Sequence, residues 1–321
     1  MHPMQRDMDH ILRSVRAKWG RSAPRSAWLT AAAAVSAVLA LPHMWQVEPA
    51  VLPTDVVETV AAPLADAAAT ATAAMTGRHP GFDTNVYPGD HAMQAWKDEG
   101  GYEWVGYYLP APCHKDPSWS GKRERLAAMG WGTAVIYVGQ QTWGKTPLPG
   151  SKAAQKAARS GATCNAHFVS GDRGTVDGAD AVARTATEGF PRGTIIFLDV
   201  ERMEHVPPTM RQYYERWAAA VLADGRYRPG VYVHAHNAEM VHDDLRTVFA
   251  DAGVPADPTV WVASGRNFTR GAAPTDVGHA FATMWQGMLD IVETHGGVRL
   301  PIDVNVSAVP SPSEPTANVS D

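Results

Sequence analysis

The sequence predicts a single (β/α)8 barrel of the TIM type, preceded by an export or anchor segment and a linker. Three observations predict it. Eight short β-branched and aromatic runs alternate with polar, Ala-rich stretches of helical length, a pattern that implies parallel strands with helical crossovers. The part of the chain holding them, 80–309, is about 230 residues long, the ordinary size of such a barrel. Glycines stand where the predicted helices stop, at Gly189, Gly225 and Gly253. With 45% apolar and 19% charged residues among 321, the chain has material for a core, which excludes wholesale disorder. A net charge of -5 lacks the basic excess that draws proteins onto a phosphate backbone, so no nucleic-acid partner is expected.

Residues 1–47 read as a signal peptide or membrane anchor. Arg6, Arg13, Arg16, Lys18, Arg21 and Arg25 face only Asp7 and Asp9, and 27–41 is almost wholly apolar until Pro42. Val38-Leu39-Ala40 offers a small-x-small cleavage site, and no adjacent Arg-Arg pair precedes the apolar run. A cleaved leader and an uncleaved anchor both fit, and in either case the bulk of the chain crosses, so the protein is expected outside the cytoplasm, touching a membrane only through this segment. Residues 48–79, rich in Ala, Thr and Pro, read as a linker.

The predicted strands are 81–85, 104–109, 133–138, 194–201, 230–236, 259–263, 282–286 and 302–306, with helices over 177–188, 209–224 and 243–252 between them. Residues 310–321 read as a loose tail. Cys113 and Cys164 fit one disulfide of an exported protein and fit two buried thiols as well.

The chemistry concentrates at strand ends. The run Thr194–Glu201 closes in Asp199 and Glu201, which at i and i+2 share one strand face with Cα atoms roughly 6.6 Å apart. Carboxylates this close repel when both are ionised, which raises at least one pKa and leaves a proton donor near neutrality. That is what glycoside hydrolysis demands. A solvated strand end neutralised by Arg202 is the bland reading of the same residues. Asp83 ends the first run and Asp303 lies in the last, and closure of a barrel makes those strands neighbours. Asp and Asn also favour strand ends as turn residues.

Catalytic candidates are therefore Glu201, Asp199 and Asp83; substrate-contacting candidates are Asp303, Asn85, Tyr107, Tyr137, Tyr232, His234, Trp285 and Gln286. His234-Ala235-His236 puts two imidazoles on one strand face. With His205, Asp199 or Glu201 it could ligate a metal for hydrolysis of another polymer, but such a pair serves equally as hydrogen-bonding cleft residues. No cofactor or metal is expected. Gly-rich nucleotide loops and Gly-x-Ser-x-Gly elbows are absent from the sequence.

Gly81-Phe82-Asp83, Leu198-Asp199-Val200-Glu201, Trp261-Val262-Ala263, Trp285-Gln286 and Asp303-Val304-Asn305 resemble, in order, the strand-end motifs of a glycoside-hydrolase-like domain of unknown function found in exported actinobacterial proteins. That group is itself similar to the family 25 lysozymes. The resemblance spans 80–309 and implies Glu201 as proton donor and Asp199 as the carboxylate that stabilises the transition state or steers an N-acetyl group. Asp83 and Asp303 would be acids lining the cleft, and the partner a cell-wall polysaccharide such as peptidoglycan. Two features depart from the muramidases: Ser264-Gly265 stands where an aromatic residue usually follows Trp-x-Ala, and a long insert runs over 140–173. A non-catalytic carbohydrate-binding or envelope module on the same barrel is the alternative.

Overall fold

The computed structural model describes residues 77–143 and 164–314. The expected leader, nearly all of the linker, most of the 140–173 insert and the last residues of the tail lie outside them. Among the described residues no helix is long and apolar enough to cross a membrane.

Eight strands close in sequential order into a barrel. They are β1 (His79–Asp83), β2 (Trp104–Tyr108), β3 (Gly132–Tyr137), β4 (Ile195–Val200), β5 (Arg228–His234), β6 (Thr259–Ala263), β7 (Ala282–His295) and β8 (Val298–Ser307). The helices are α1 (Asp90–Glu99), α2 (Arg123–Ala128), α3 (Gly171–Thr187), α4 (Pro208–Asp224) and α5 (Ala235–Asp251), with 3-10 turns at Ala166–Phe168 and Pro274–Val277. Gly189, Gly225 and Gly253 all take positive φ behind α3, α4 and α5, as the predicted stops require.

The expectation of parallel strands throughout fails at the last one. β8 runs antiparallel to both β7 and β1. β7 is 14 residues long and forms with β8 a hairpin turning at Gly296-Gly297, both of positive φ. The hairpin doubles back so that its tip meets α1. There the Trp96 indole donates to Val298 O at 2.9 Å, and Arg270, Tyr102, Glu293 and His295 form a polar pin. In this way two strands take the place of the last crossover helix.

Two helices begin earlier than their sequence suggests. α3 starts at Gly171, where Ser170 accepts from Arg173 N; its glycines look unhelical but give α4 close approach. A Cβ on Gly174 would stand 2.2 Å from Tyr213 O. α5 follows β5 without a loop, because His234 caps it by accepting from His236 N. His234 and His236 therefore do not share a strand face as expected.

The tail also begins later than expected. Ser313 accepts from Val135 N and donates to Ile195 O, and Ser313 N donates to Thr133 O, which ties the chain between β3 and β4 through Glu314. The β3–β4 ladder itself begins only at Val135 and Ile196, so these donors and acceptors would otherwise be unpaired.

Inside the barrel, alternation sends every second side chain inward. Trp104 and Phe197 meet Trp261 edge-on at 5.6 and 5.8 Å and form the floor below the mouth. Glycines supply the space these large groups need. A Cβ on Gly81 would fall 2.1 Å from the Trp104 ring, and one on Gly106 would fall 2.6 Å from Asp83 Cβ and 2.9 Å from Ile136 Cδ1. Gly106→Ala is expected to displace Asp83 and cost about 1–3 kcal/mol. Thermal unfolding should show it as a loss of about 2–4 °C per kcal/mol; an unchanged Tm would mean that the strand yields freely.

Candidate active site

The C-terminal ends of the parallel strands form one mouth, and the inward positions there carry acids. Asp83 comes from β1, Asp199 from β4 and Glu201 from the residue just past β4. Asp303 is mid-strand on β8, in register with Asp83. It reaches the mouth because the β7–β8 hairpin turns over the rim there: Asp290, with φ of 53°, donates its N–H to Asp303 Oδ1 at 2.7 Å.

Asp83 is 4% exposed and accepts three hydrogen bonds, from Tyr108 Oη at 2.7 Å, Gln286 Nε2 at 2.9 Å and Asn305 Nδ2 at 2.8 Å. Each donor is held in turn. Gln286 Oε1 accepts from Tyr232 Oη at 2.6 Å, Asn305 Oδ1 accepts from the Trp261 indole at 3.1 Å, and His114 packs on Tyr108 with ring centroids 4.8 Å apart. Burial raises the Asp83 pKa, and the three donors work against that rise by favouring its ionised form.

Asp199 has the opposite surroundings. Its Oδ1 is buried without a hydrogen-bond partner, and dehydration, then repulsion by Glu201 and by Asp83, pushes it well above the usual carboxylate range. Glu201 stands at the rim with its side chain exposed, yet protein crowds its carboxyl enough for dehydration to raise it; solvent at the open edge tempers that rise. Asp303 is pushed up to about 8, by burial first and by the Asp83 charge second. No ion pair involves any of the four acids among the described residues. The mouth thus raises the proton affinity of its acids, with donors opposing that rise at Asp83 and none at Asp199 Oδ1, the separation of environments that acid and base roles need.

A pH dependence of stability follows. The Asp303 carboxyl binds its proton more tightly folded, at about 8, than unfolded, near 3.8, so its contribution is fully present in acid and is lost as pH rises through 8. Asp303→Asn keeps an acceptor for Asp290 N–H and removes the charge. It should raise stability at pH 8.5 by on the order of 2 kcal/mol and change little at pH 4. Denaturant melts at the two pH values check this, and equal effects at both would contradict the sign.

The expected site residues divide by strand parity. Asp83, Asp199, Glu201, Asp303, Tyr232 and Gln286 converge, and His234 stands half-buried beside them at the end of β5. Asn85 is exposed in the loop after β1, its carbonyl 2.9 Å from His114 Nε2. Three aromatic expectations are corrected. Tyr107 points outward and donates to Glu188 at 2.5 Å, with Phe190 and Trp119 around it. Tyr137 likewise donates outward to Asp180 at 2.9 Å, and Trp285 donates to Ser264 O at 2.7 Å while packing on Phe268 and Val306. The inward aromatics nearest the acids are Tyr108 and Tyr232, with Trp261 below them on the floor. Trp261 and Asn305 did not figure among the expected site residues, although each lay in a motif already singled out. Gln286 engages its whole amide inside the acid network, which makes it a support for Asp83. Among the described residues no group of three His, Cys, Asp or Glu is arranged to hold a metal ion, and His236 Nε2 faces Glu204 O at 3.2 Å.

A closed barrel with several acids gathered at the C-terminal rim is the architecture of a glycoside-hydrolase-like domain. The chain belongs to the Rv2525c-like, glycoside hydrolase-like domain family, whose model matches residues 94–307. No curated protein matches it. Among solved structures it is similar to an uncharacterized protein of B. stearothermophilus, at 17% identity and a TM-score of 0.48, over 71% of this chain and 95% of that one. The Tat-secreted protein Rv2525c of Mycobacterium tuberculosis, solved in complex with L-tartrate, is 16% identical with a TM-score of 0.42, over 72% of this chain and 94% of that one. The modular autolysin LytC of Streptococcus pneumoniae, solved with a synthetic peptidoglycan ligand, is 14% identical with a TM-score of 0.46, over 71% of this chain and 46% of that one.

Proposed function

We propose that this chain is an exported glycoside hydrolase acting on a cell-wall polysaccharide of the peptidoglycan class. In this reading Glu201 is the general acid that protonates the leaving oxygen. Asp199 stabilises the developing positive charge or steers the substrate beside it, and Asp83, whose three donors favour its ionised form, is the second negative group below. The single observation that carries the reading is the contrast between carboxyls in one mouth: Asp83 held by three donors, Asp199 and Glu201 raised above the usual carboxylate range, by dehydration first. Export is supported by the basic, then apolar, leader at 1–47 and by the Cys113–Cys164 disulfide, a bond that persists in oxidising compartments.

The test is to incubate the purified chain with sacculi and with soluble glycan fragments, following reducing ends from pH 4 to 8. Release of reducing ends supports hydrolysis. Retention on sacculi with no release at any pH would replace this reading with that of a carbohydrate-binding module on the same barrel.

A further inference from the structure

The ladder between β3 and β4 stops one step short of the acid pair. Its last partners are Tyr137 and Leu198. Beyond them the Asp199 carbonyl and the Glu201 N–H need partners on the β3 side, and β3 has turned away. Gln141 supplies both: its Nε2 donates to Asp199 O at 2.9 Å and its Oε1 accepts from Glu201 N at 3.4 Å. In a parallel ladder one residue donates to the carbonyl before, and accepts from the N–H after, the residue it faces. The Gln141 amide makes that same pair of bonds around Val200, so a side chain replaces a strand residue.

The amide is itself fixed. Gln141 and Gln140 are both 0% exposed. Gln140 N donates to Tyr213 Oη at 2.8 Å, and Gln140 Oε1 accepts from Asn165 N at 3.0 Å, next to Cys164 of the disulfide. Gly139 makes the turn possible, since a Cβ there would lie 2.4 Å from Tyr213 Oη and 2.9 Å from Leu198 Cδ1. Two buried backbone groups and a locked donor-acceptor pair meet at the one place where the acids leave the sheet.

We infer that Gln141 is a positioning residue that sets the backbone at Asp199 and Glu201 and thereby the separation of the two carboxyls. The inference rests on the reading of that pair as the working acids, but its decisive measurement does not need activity. Val200 packs outward on β4, so the constraint falls on the two flanking residues whose side chains face the mouth. The other ionisable groups facing the pair are Asp83, Asp303, Tyr108 and Tyr232, and the Gln141 amide bonds the backbone of the pair and none of these groups.

Two variants test it in the full chain. Gln141→Met keeps volume and removes both bonds. Gln141→Glu offers a donor and an acceptor while protonated and loses only the donor to Asp199 O when ionised, so it should behave as the parent in acid and depart from it at higher pH. Carbon-13 NMR titration of the Glu and Asp carboxyls is the first readout, with a shift of at least half a pH unit expected at Glu201 or Asp199 in Gln141→Met. On a cleaved glycan, kcat should fall about tenfold, with KM little changed and the pH profile displaced. Unmoved carboxyl titrations in a folded Gln141→Met, or a Gln141→Glu that shows no recovery in acid, would overturn the inference. If the parent cleaves no glycan, the proposed function fails while the titration still decides the role of Gln141. Should Gln141→Met not fold, the acid-dependent recovery of Gln141→Glu decides alone.

Discussion

Glu201→Gln should lower the rate of glycan cleavage by about 10²–10⁴-fold, the range that loss of a positioned general acid removes. The amide matches the carboxyl in size and cannot give up a proton to a leaving oxygen. Folding should survive, because the Glu201 side chain is exposed at the rim and its backbone N–H, the group that Gln141 binds, is unaltered. A second effect separates this cause from misfolding. Removing the Glu201 charge takes away a repulsion that raises Asp199, so the Asp199 carboxyl should titrate at lower pH in the variant. Reducing-end assays and carboxyl NMR on the same preparation check both. Undiminished release of reducing ends would remove Glu201 from the acid role.

The second large effect concerns the disulfide. Cys113 and Cys164 are bonded across a sequence separation of 51, and by the loop-entropy argument their joint replacement by Ser should cost about 4 kcal/mol, a fall in Tm of about 10 °C. The loss should not stay local. On one side the bridge precedes His114, which faces the Asn85 carbonyl and packs on Tyr108, the donor to Asp83. On the other side it precedes Asn165, whose N–H holds Gln140 beside the Gln141 amide. Both halves of the acid cluster thus hang on loops that the bridge joins. Thermal melts of the oxidised chain and the double Ser variant measure the effect; matching midpoints would show that the core alone holds these loops.

Much of the barrel is legible in the sequence. The 259–263 strand has its predicted bounds, and the other seven strands are found where β-branched runs predict them, because a strand's apolar content is a local property. The helix stops at Gly189, Gly225 and Gly253 are equally local, since a positive φ favours glycine wherever it occurs. The direction of β8 is not local. The extension of β7 past Gln286 runs through three consecutive exposed residues, Met288, Leu289 and Asp290, before alternation resumes at Ile291; pairing with β8 and the pin onto α1 carry the strand across that break. Asp303 therefore reaches the mouth from the middle of an antiparallel strand and not from the end of a parallel one.

Strand parity explains the aromatic corrections. Tyr107 and Tyr108 are adjacent, and all five residues of β2 are buried, because its inner face meets the barrel core and its outer face is covered in turn, at Tyr107 by Trp119 and Phe190. A strand buried on both faces has no alternation of polar and apolar residues from which to tell inside from outside. The same holds for Tyr137, while at Trp285 the outer neighbours are Phe268 and Val306. The sequence by itself determined the barrel's strand content, the pairing of Asp199 with Glu201 on one face, and the acids available to a cleft, since each depends on residue type and spacing along one strand. Tertiary structure alone decided which way β8 runs, which of two neighbouring tyrosines touches Asp83, and that Gln141 takes over where β3 ends. These depend on how strands at a distance in the chain are turned about a common axis, and no single strand carries that information.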